Sequence, residues 1–531
     1  MFTRENVYDL GDNWADPILW YARGVQSMKA RPLADVRSWR FYGGIHGHLR
    51  GLWDLHGITD PVEPGPSDED VATYFDQCQH QSWFFLPWHR GYLLALERQI
   101  RHEIEALGGP HESWALPYWN YLEDGRSGVP PAFRTRSWPD GTDDNPLFVE
   151  QRWGLIASGP SPVFQQLVHL NPMSDREFSG PGNGGSTGFG GRPTGFNWSG
   201  GDNGGAEWQP HNIVHTLVGG QHPSAFLPLP PPNHEIPIPG LMSATSTSAL
   251  DPIFYLHHCN IDRLWESWNR FPAGKPAINP NDWQNPSGSD WRDGPAASGD
   301  RSFTMPNPDS TAWVFTPDEM QSIEGLDYGY ANLTPGAQVE PDNLTRRVAR
   351  LGLAPPRTMS GGVAMSPQKT VEMIGTGEGK IALSGTAQHQ ASVRLDQPTV
   401  DRLSENLSGA APQPGLPDRV FLNLENVRSQ SDAVIFKVYV GMPPGTDPAD
   451  SDTYFAGTVS LFGATLASDP AGKHAGNGIT HVLEVTDIFD RLYLDNTLES
   501  LEISVDLVPV DDIPAAAQVE IGNISFYRQS E

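Results

Sequence analysis

Three groups of histidines have spacings that suit metal chemistry. In His211-Asn-Ile-Val-His215 the imidazoles stand four residues apart, so on a helix both lie on one face and reach one ion. The motif is not the HExxH of zinc proteases, because Asn212 stands where that motif has its glutamate. A second group, Asp251-Pro-Ile-Phe-Tyr-Leu-His257-His258-Cys-Asn-Ile-Asp262-Arg263, sets a histidine pair beside apolar neighbours, where a buried imidazole requires a polar partner. Asp262, four residues after His258, is spaced either to orient an imidazole or to pair with an arginine. The third group is Cys78-Gln-His80, followed by Pro87-Trp-His89-Arg90. Cys78 alone reads as a small buried residue. Upstream, His46 is a further candidate, with His48 and His56 as competitors. Six imidazoles without a four-cysteine or carboxylate cage suit copper best, because magnesium and calcium prefer oxygen. Two groups of three would bind two metals, and a copper pair can bind and activate O2.

These residues must be held by structure. Arg90–Ala106 has apolar residues at helical spacing and many strong helix formers, and Pro87 just ahead of it suits a helix start. Ile261–Trp268 and the segment His211–Val218 also read as helices. Two irregular stretches interrupt them. Gly180–Gly205 holds twelve glycines without the GK[ST] of a phosphate loop and reads as a long loop, and Pro223–Pro239 reads as extended. After about residue 355 the pattern changes to period two. Val420–Val427, Ala433–Gly441, Tyr454–Leu461, Ile479–Val485 and Leu501–Leu507 read as strands of a sandwich or jelly roll.

Composition supports two parts of different character. All 17 tryptophans lie between Trp14 and Trp313, and fourteen of the 17 histidines lie at or before His258. The chain of 531 residues carries 35 Lys+Arg against 64 Asp+Glu, a net charge of −29. That balance argues against nucleic-acid binding and against adsorption to anionic membranes. Two cysteines cannot form a disulfide framework. The start, MFTRENVYDLGDNW, has no apolar signal segment, so a cytoplasmic location is expected.

Taken together, the motifs CxH…PWHR, HNIVH and DPIFYLHHxNxDRLW resemble those of the type-3 copper proteins: tyrosinases, catechol oxidases and hemocyanins. The resemblance implies two copper ions, with His46, His80 and His89 on the first and His211, His215 and His258 on the second. It makes His257 a neighbour lining the substrate pocket. It places Cys78 where some members carry a thioether to the following ligand histidine, here His80. Glu207 matches an acid that holds an ordered water, and Asn212 a residue that helps orient that water as a base. Thr245 matches a pocket gate, and Thr216 a second controller of phenol hydroxylation. Tyr328-Gly-Tyr330 resembles the mark that ends the catalytic domain, with Arg4 as its partner. Phe436–Val440, Tyr454–Thr458 and Leu501–Pro509 are similar to the C-terminal domain of plant polyphenol oxidases, which covers the copper site and keeps those enzymes latent. The transit peptide and N-terminal disulfides of the plant enzymes are not seen in this sequence.

The implied fold class is α+β multidomain. A mainly helical domain over 1–330 presents its histidines inward from a four-helix bundle. A linker over 331–365 and an all-β domain over 366–531 follow. The implied function is oxidation of small phenols by O2, with monophenol hydroxylation and o-diphenol oxidation to o-quinones. A catechol or o-aminophenol oxidase lacking the first step, or a hemocyanin-like O2 carrier, are the alternatives. The β domain is expected to be a lid or a surface through which copies assemble.

Overall fold

The computed structural model describes residues 1–197, 201–230, 235–270, 282–334, 343–353, 369–410, 416–448, 451–472 and 475–530. The first part is mainly helical and the C-terminal part holds a large β-sheet. Four helices concern the histidines: α1 (Trp39–His46), α2 (Phe85–Ala106), α3 (Ile213–Gly219) and α4 (Ile253–Arg270). Ser38 caps α1 by accepting from the Phe41 N–H. Helix α2 starts five residues before the expected Arg90 and takes Pro87 into its first turn, where proline's missing N–H costs no bond. Helix α4 is also longer than Ile261–Trp268. It is buried from Ile253 through Trp268, so no polar face marks its start in the sequence. Ahead of α3 the chain kinks at Gln209 (φ −135°, ψ 125°), within the wide turn Glu207–Asn212.

Buried ion pairs tie α2 to α4. Arg90 donates to Asp262 at 2.5 Å, and Arg4 pairs with Glu97 at 2.7 Å and Asp262 at 3.3 Å. Tyr328 and Tyr330 donate to the same Asp262 carboxylate at 2.7 and 2.5 Å. Asp262 therefore serves arginines and tyrosines rather than orienting an imidazole. The Arg90 guanidinium, one residue after His89, is the stronger partner for a buried carboxylate. Arg4 also donates to Tyr330 at 2.9 Å, while its strand Phe2–Arg4 pairs in parallel with Tyr328–Tyr330.

The glycine-rich stretch is irregular but packed inside. Ser186, Phe189 and Asn197 are buried, and a Cβ at Gly180 would lie 1.8 Å from the Ser186 carbonyl oxygen. Asn197 holds the histidine loop beside it, accepting from the His80 N–H at 3.2 Å through its carbonyl and donating to the His80 carbonyl at 3.0 Å. The proline-rich stretch supplies a short hairpin, Gln221–Phe226 with Pro237–Pro239, and its residues 231–234 lie outside the described residues.

In the C-terminal part, hydrogen bonds join nine strands into one sheet: β1 (Gly201–Asp202), β2 (Val371–Gly377), β3 (His389–Leu395), β4 (Arg419–Val427), β5 (Ile435–Val440), β6 (Phe455–Ser460), β7 (Ile479–Glu484), β8 (Glu502–Pro509) and β9 (Asn523–Gln529). Their order is β6-β5-β8-β3-β2-β9-β4-β7-β1, antiparallel except for the parallel pair β7·β1. Strands β6 and β7 approach each other, so enclosure comes from curling of one sheet rather than from two separate sheets. The five expected strands are present. β2 and β9 escape the period-two reading because polar residues such as Glu372 and Arg528 interrupt their apolar faces, whereas β3 alternates Ala391, Val393 and Leu395 with polar residues, a period-two signal outside the five expected strands. Strand β1 comes from the glycine-rich stretch, so the helical part contributes a strand to the sheet.

Residues 335–342 and 354–365 of the expected linker lie outside the described residues. The described part contains α5 (Asn343–Arg350), which docks on the β domain through Arg347, paired with Asp490 at 2.8 Å. Among the described residues no helix is long and apolar enough to cross a membrane.

Candidate metal centre

The structure gathers the histidines into two buried clusters. His46, His80 and His89 stand with Cys78, and His211, His215 and His258 with His257. Within each cluster the ligand atoms lie within 4.8 Å of one another. His46 is the last residue of α1, His80 sits in the loop before α2, and His89 is in the first turns of α2. His211 ends the wide turn, His215 follows in α3, and the His257–His258 pair belongs to α4. The competitors fall elsewhere. His48 packs edge-on to Trp53 and Phe75, and His56 lies against Trp153. The clusters adjoin: the His89 and His258 rings stack at 4.2 Å, and His80 and His211 are 5.9 Å apart.

Hydrogen bonds turn the rings. Nδ1 of His46 donates to the Thr245 carbonyl, that of His89 to Phe85, and that of His215 to Met242, each at 2.8 Å. Nδ1 of His211 donates to Asn212 Oδ1 at 2.7 Å. Each of these bonds leaves Nε2 as the free lone pair, aimed into the cluster. In the second cluster Nε2 of His258 lies 3.2 Å from that of His211 and 3.4 Å from that of His215. Three nitrogens about 2.0–2.1 Å from one ion in tetrahedral array would lie roughly 3.4 Å apart, so the spacing fits a metal. Without one, lone pairs would face each other in a dry interior, which is costly.

Electrostatics agree with neutral ligands. Burial pushes His46 and His257 down to about 3. His89, His211, His215 and His258 are driven well below the usual imidazole value, by burial first and by neighbouring imidazoles second. A neutral imidazole is the form that binds a metal. Burial also pushes Glu207 up to about 8, although its carboxylate accepts the Gln81 N–H at 2.9 Å. The Cys78 thiol is pushed up by burial and then by Glu207. Its sulfur lies 3.0 Å from His46 Nε2, 3.4 Å from His89 Nε2, and 3.5 and 3.6 Å from the two nitrogens of His80.

Sequence reasoning missed one residue at this centre. Phe462, in the turn after β6, enters from the β domain and stacks on His215 at 4.3 Å. Its ring is also 5.5 Å from that of His80 and 5.7 Å from that of His211, so it touches both clusters. Gly463 follows with φ +84°, a conformation natural to glycine, and a Cβ there would meet Gln81 and the Thr245 methyl. Thr216 shares a 2.6 Å hydroxyl–hydroxyl bond with Ser460. Thr216 and Thr245 therefore both face the segment that carries Phe462. The available signal was Leu-Phe-Gly at a strand end, which also reads as ordinary core.

Comparison with known proteins agrees. The model of the common central domain of tyrosinase matches residues 36–188 and 182–271, and a domain family of unknown function matches 370–529. The chain is 27% identical to the tyrosinase HcTyr1 of Hahella sp. (strain CCB-MM4) over the whole of both chains. It is 30% identical to the tyrosinase of Streptomyces antibioticus across 38% of this chain and 68% of that one. The solved structure of latent apple tyrosinase shares its fold, with a TM-score of 0.58 at 20% identity over 100% of this chain and 97% of that one.

Proposed function

This chain belongs to the tyrosinase family of type-3 copper proteins, and on that premise we propose that it is a polyphenol oxidase that hydroxylates monophenols and oxidises o-diphenols to o-quinones. The family's cofactor is a pair of copper ions, which when bound supply the O2 and electron-transfer chemistry. In this reading His46, His80 and His89 hold one ion and His211, His215 and His258 the other, presented by α1–α4 together with the His80 loop and the wide turn before α3. The observation that carries the reading is the two adjoining triads of buried imidazoles, four of which turn their Nε2 lone pairs into the clusters.

The chain's own groups divide the remaining work. His257, stacked at 5.3 Å on His211, lines the pocket. Glu207 accepts a proton from the phenol side, because a phenol near pKa 10 needs a base at neutral pH. Asn212 acts beside it. Cys78 stands where a thioether to His80 would fix that ring, and an intact mass lower by two hydrogens would reveal the bond. Phe462 occupies the place a substrate ring would take over His215, so the β domain acts as a lid. A phenol binds only when that ring withdraws.

The test is copper analysis of the full chain together with o-quinone formation from catechol and from tyrosine. Two copper ions per chain and chelator-sensitive quinone formation from both substrates are expected. Oxidation of catechol alone would leave a catechol oxidase, and copper with O2 binding but no turnover an oxygen carrier. Two zinc ions and no copper would overturn the reading.

A further inference from the structure

Asn203 lies outside the histidine motifs, eight residues before His211 in the glycine-rich stretch, and is 5% exposed. Its Oδ1 accepts from Asn212 Nδ2 at 3.1 Å and from Gln81 Nε2 at 3.3 Å. Its own Nδ2 has no hydrogen-bond partner among the described residues. Asn212 in turn presents Oδ1 to Nδ1 of His211 at 2.7 Å.

A carboxamide can be turned end for end with little change of shape, so its partners decide which end points where. Because Asn203 offers an acceptor, Asn212 must turn its nitrogen that way and its oxygen towards His211. The imidazole then carries its proton on Nδ1 and keeps the Nε2 lone pair for the metal. The reverse orientation would put an NH2 against Nδ1, move the proton to Nε2 and remove one ligand. His46, His89 and His215 do not face this problem, because main-chain carbonyls hold them. His211 is held by a side-chain amide, which itself needs an orienter.

Asn203 is anchored from the β domain. Gly201 and Asp202, immediately before it, pair in parallel with Ile479 and Thr480 of β7, and Trp208 donates to the Thr458 carbonyl at 2.9 Å.

We infer that Asn203 is a positioning residue that sets the His211 tautomer through Asn212 and so ties the second metal's ligand set to the docked β domain. The inference rests on the reading of His211 as a copper ligand. Copper titration of the full-length apo chain against a competing chelator tests it, in wild type, Asn203→Ala and Asn203→Asp. Asn203→Ala is expected to keep one copper at wild-type affinity and to bind the other about ten to a hundredfold more weakly. Asn203→Asp keeps an oxygen acceptor and is expected to bind both as the wild type does. Wild-type affinity at both sites in Asn203→Ala overturns the inference. An equal loss at both sites with a lowered apo melting temperature marks a folding role and also overturns it. A wild type that binds two copper ions but does not oxidise catechol removes the oxidase reading and leaves the Asn203 comparison standing.

Discussion

The helical half and the β half meet at the same histidine clusters by different means. The helical half contributes all seven histidines and the cysteine of the two clusters, each fixed by a hydrogen bond or helix position within the first 260 residues. The β half contributes one apolar ring, Phe462, and holds it there through backbone pairing, the Thr216–Ser460 bond and the Trp208–Thr458 bond. On the proposed reading, ligation rests on short-range polar geometry, and access rests on the docking of a separate sheet. Asn203 is the proposed link between them, and away from it each can be broken by itself.

The largest effect should come from the ligand side. His215→Ala removes a nitrogen from the second cluster, and quinone formation should fall by more than about a hundredfold, because even the loss of an outer partner costs 10–100-fold. Copper content measured on the same sample should drop from two towards one. Activity retained with two coppers bound would show that the cluster is not the reaction site.

Glu207→Gln comes next. Tyrosine hydroxylation should fall about a hundredfold with catechol oxidation little changed, the scale of one proton-transfer group. With Glu207 intact the tyrosine:catechol ratio should rise with pH towards about 8, as the carboxylate forms. Positive copper ions draw that limb lower. The apo protein carries the opposite linkage. Glu207 is raised from 4.5 to about 8, so its stabilising share is complete below 4.5 and is lost as pH rises through about 8. A pH-independent ratio in the wild type would remove Glu207 from the proton path.

On the β side, Phe462→Ala should lower apo stability by about 3–5 kcal/mol if the ring is packed as a core residue is. Denaturant unfolding reads this, and an unchanged midpoint would mean that the ring is not seated. The smallest effect is that of Thr216→Val, which removes the 2.6 Å hydroxyl partner of Ser460, leaves that hydroxyl only the Phe462 N–H it accepts at 3.2 Å, and should cost about 1 kcal/mol. A double-mutant cycle with Ser460→Ala isolates the bond.

The same contrast explains what could be read from the sequence. His211 and His215 are legible because a helix fixes the geometry of i and i+4. His80, His89 and His258 are legible because they stand in motifs with Cys78, Arg90 and Asp262. His46 is harder, since nothing in the spacing to His80 separates it from His48 or His56, and packing against Phe254 and the Thr245 carbonyl selects it. Phe462 is not legible, because a partner some 250 residues away leaves no local pattern and a phenylalanine at a strand end is ordinary core. β1 escapes for a related reason: two residues in a glycine-rich stretch become a strand only when β7 lies beside them.

The decisive measurement is oxygen uptake with catechol, recorded on the copper-loaded full chain beside copper-loaded Phe462→Ala. Chelator-sensitive uptake is expected from both proteins, faster in the variant because the ring over His215 is gone. Two bound copper ions with no catechol-dependent uptake in either protein would contradict the oxidase reading.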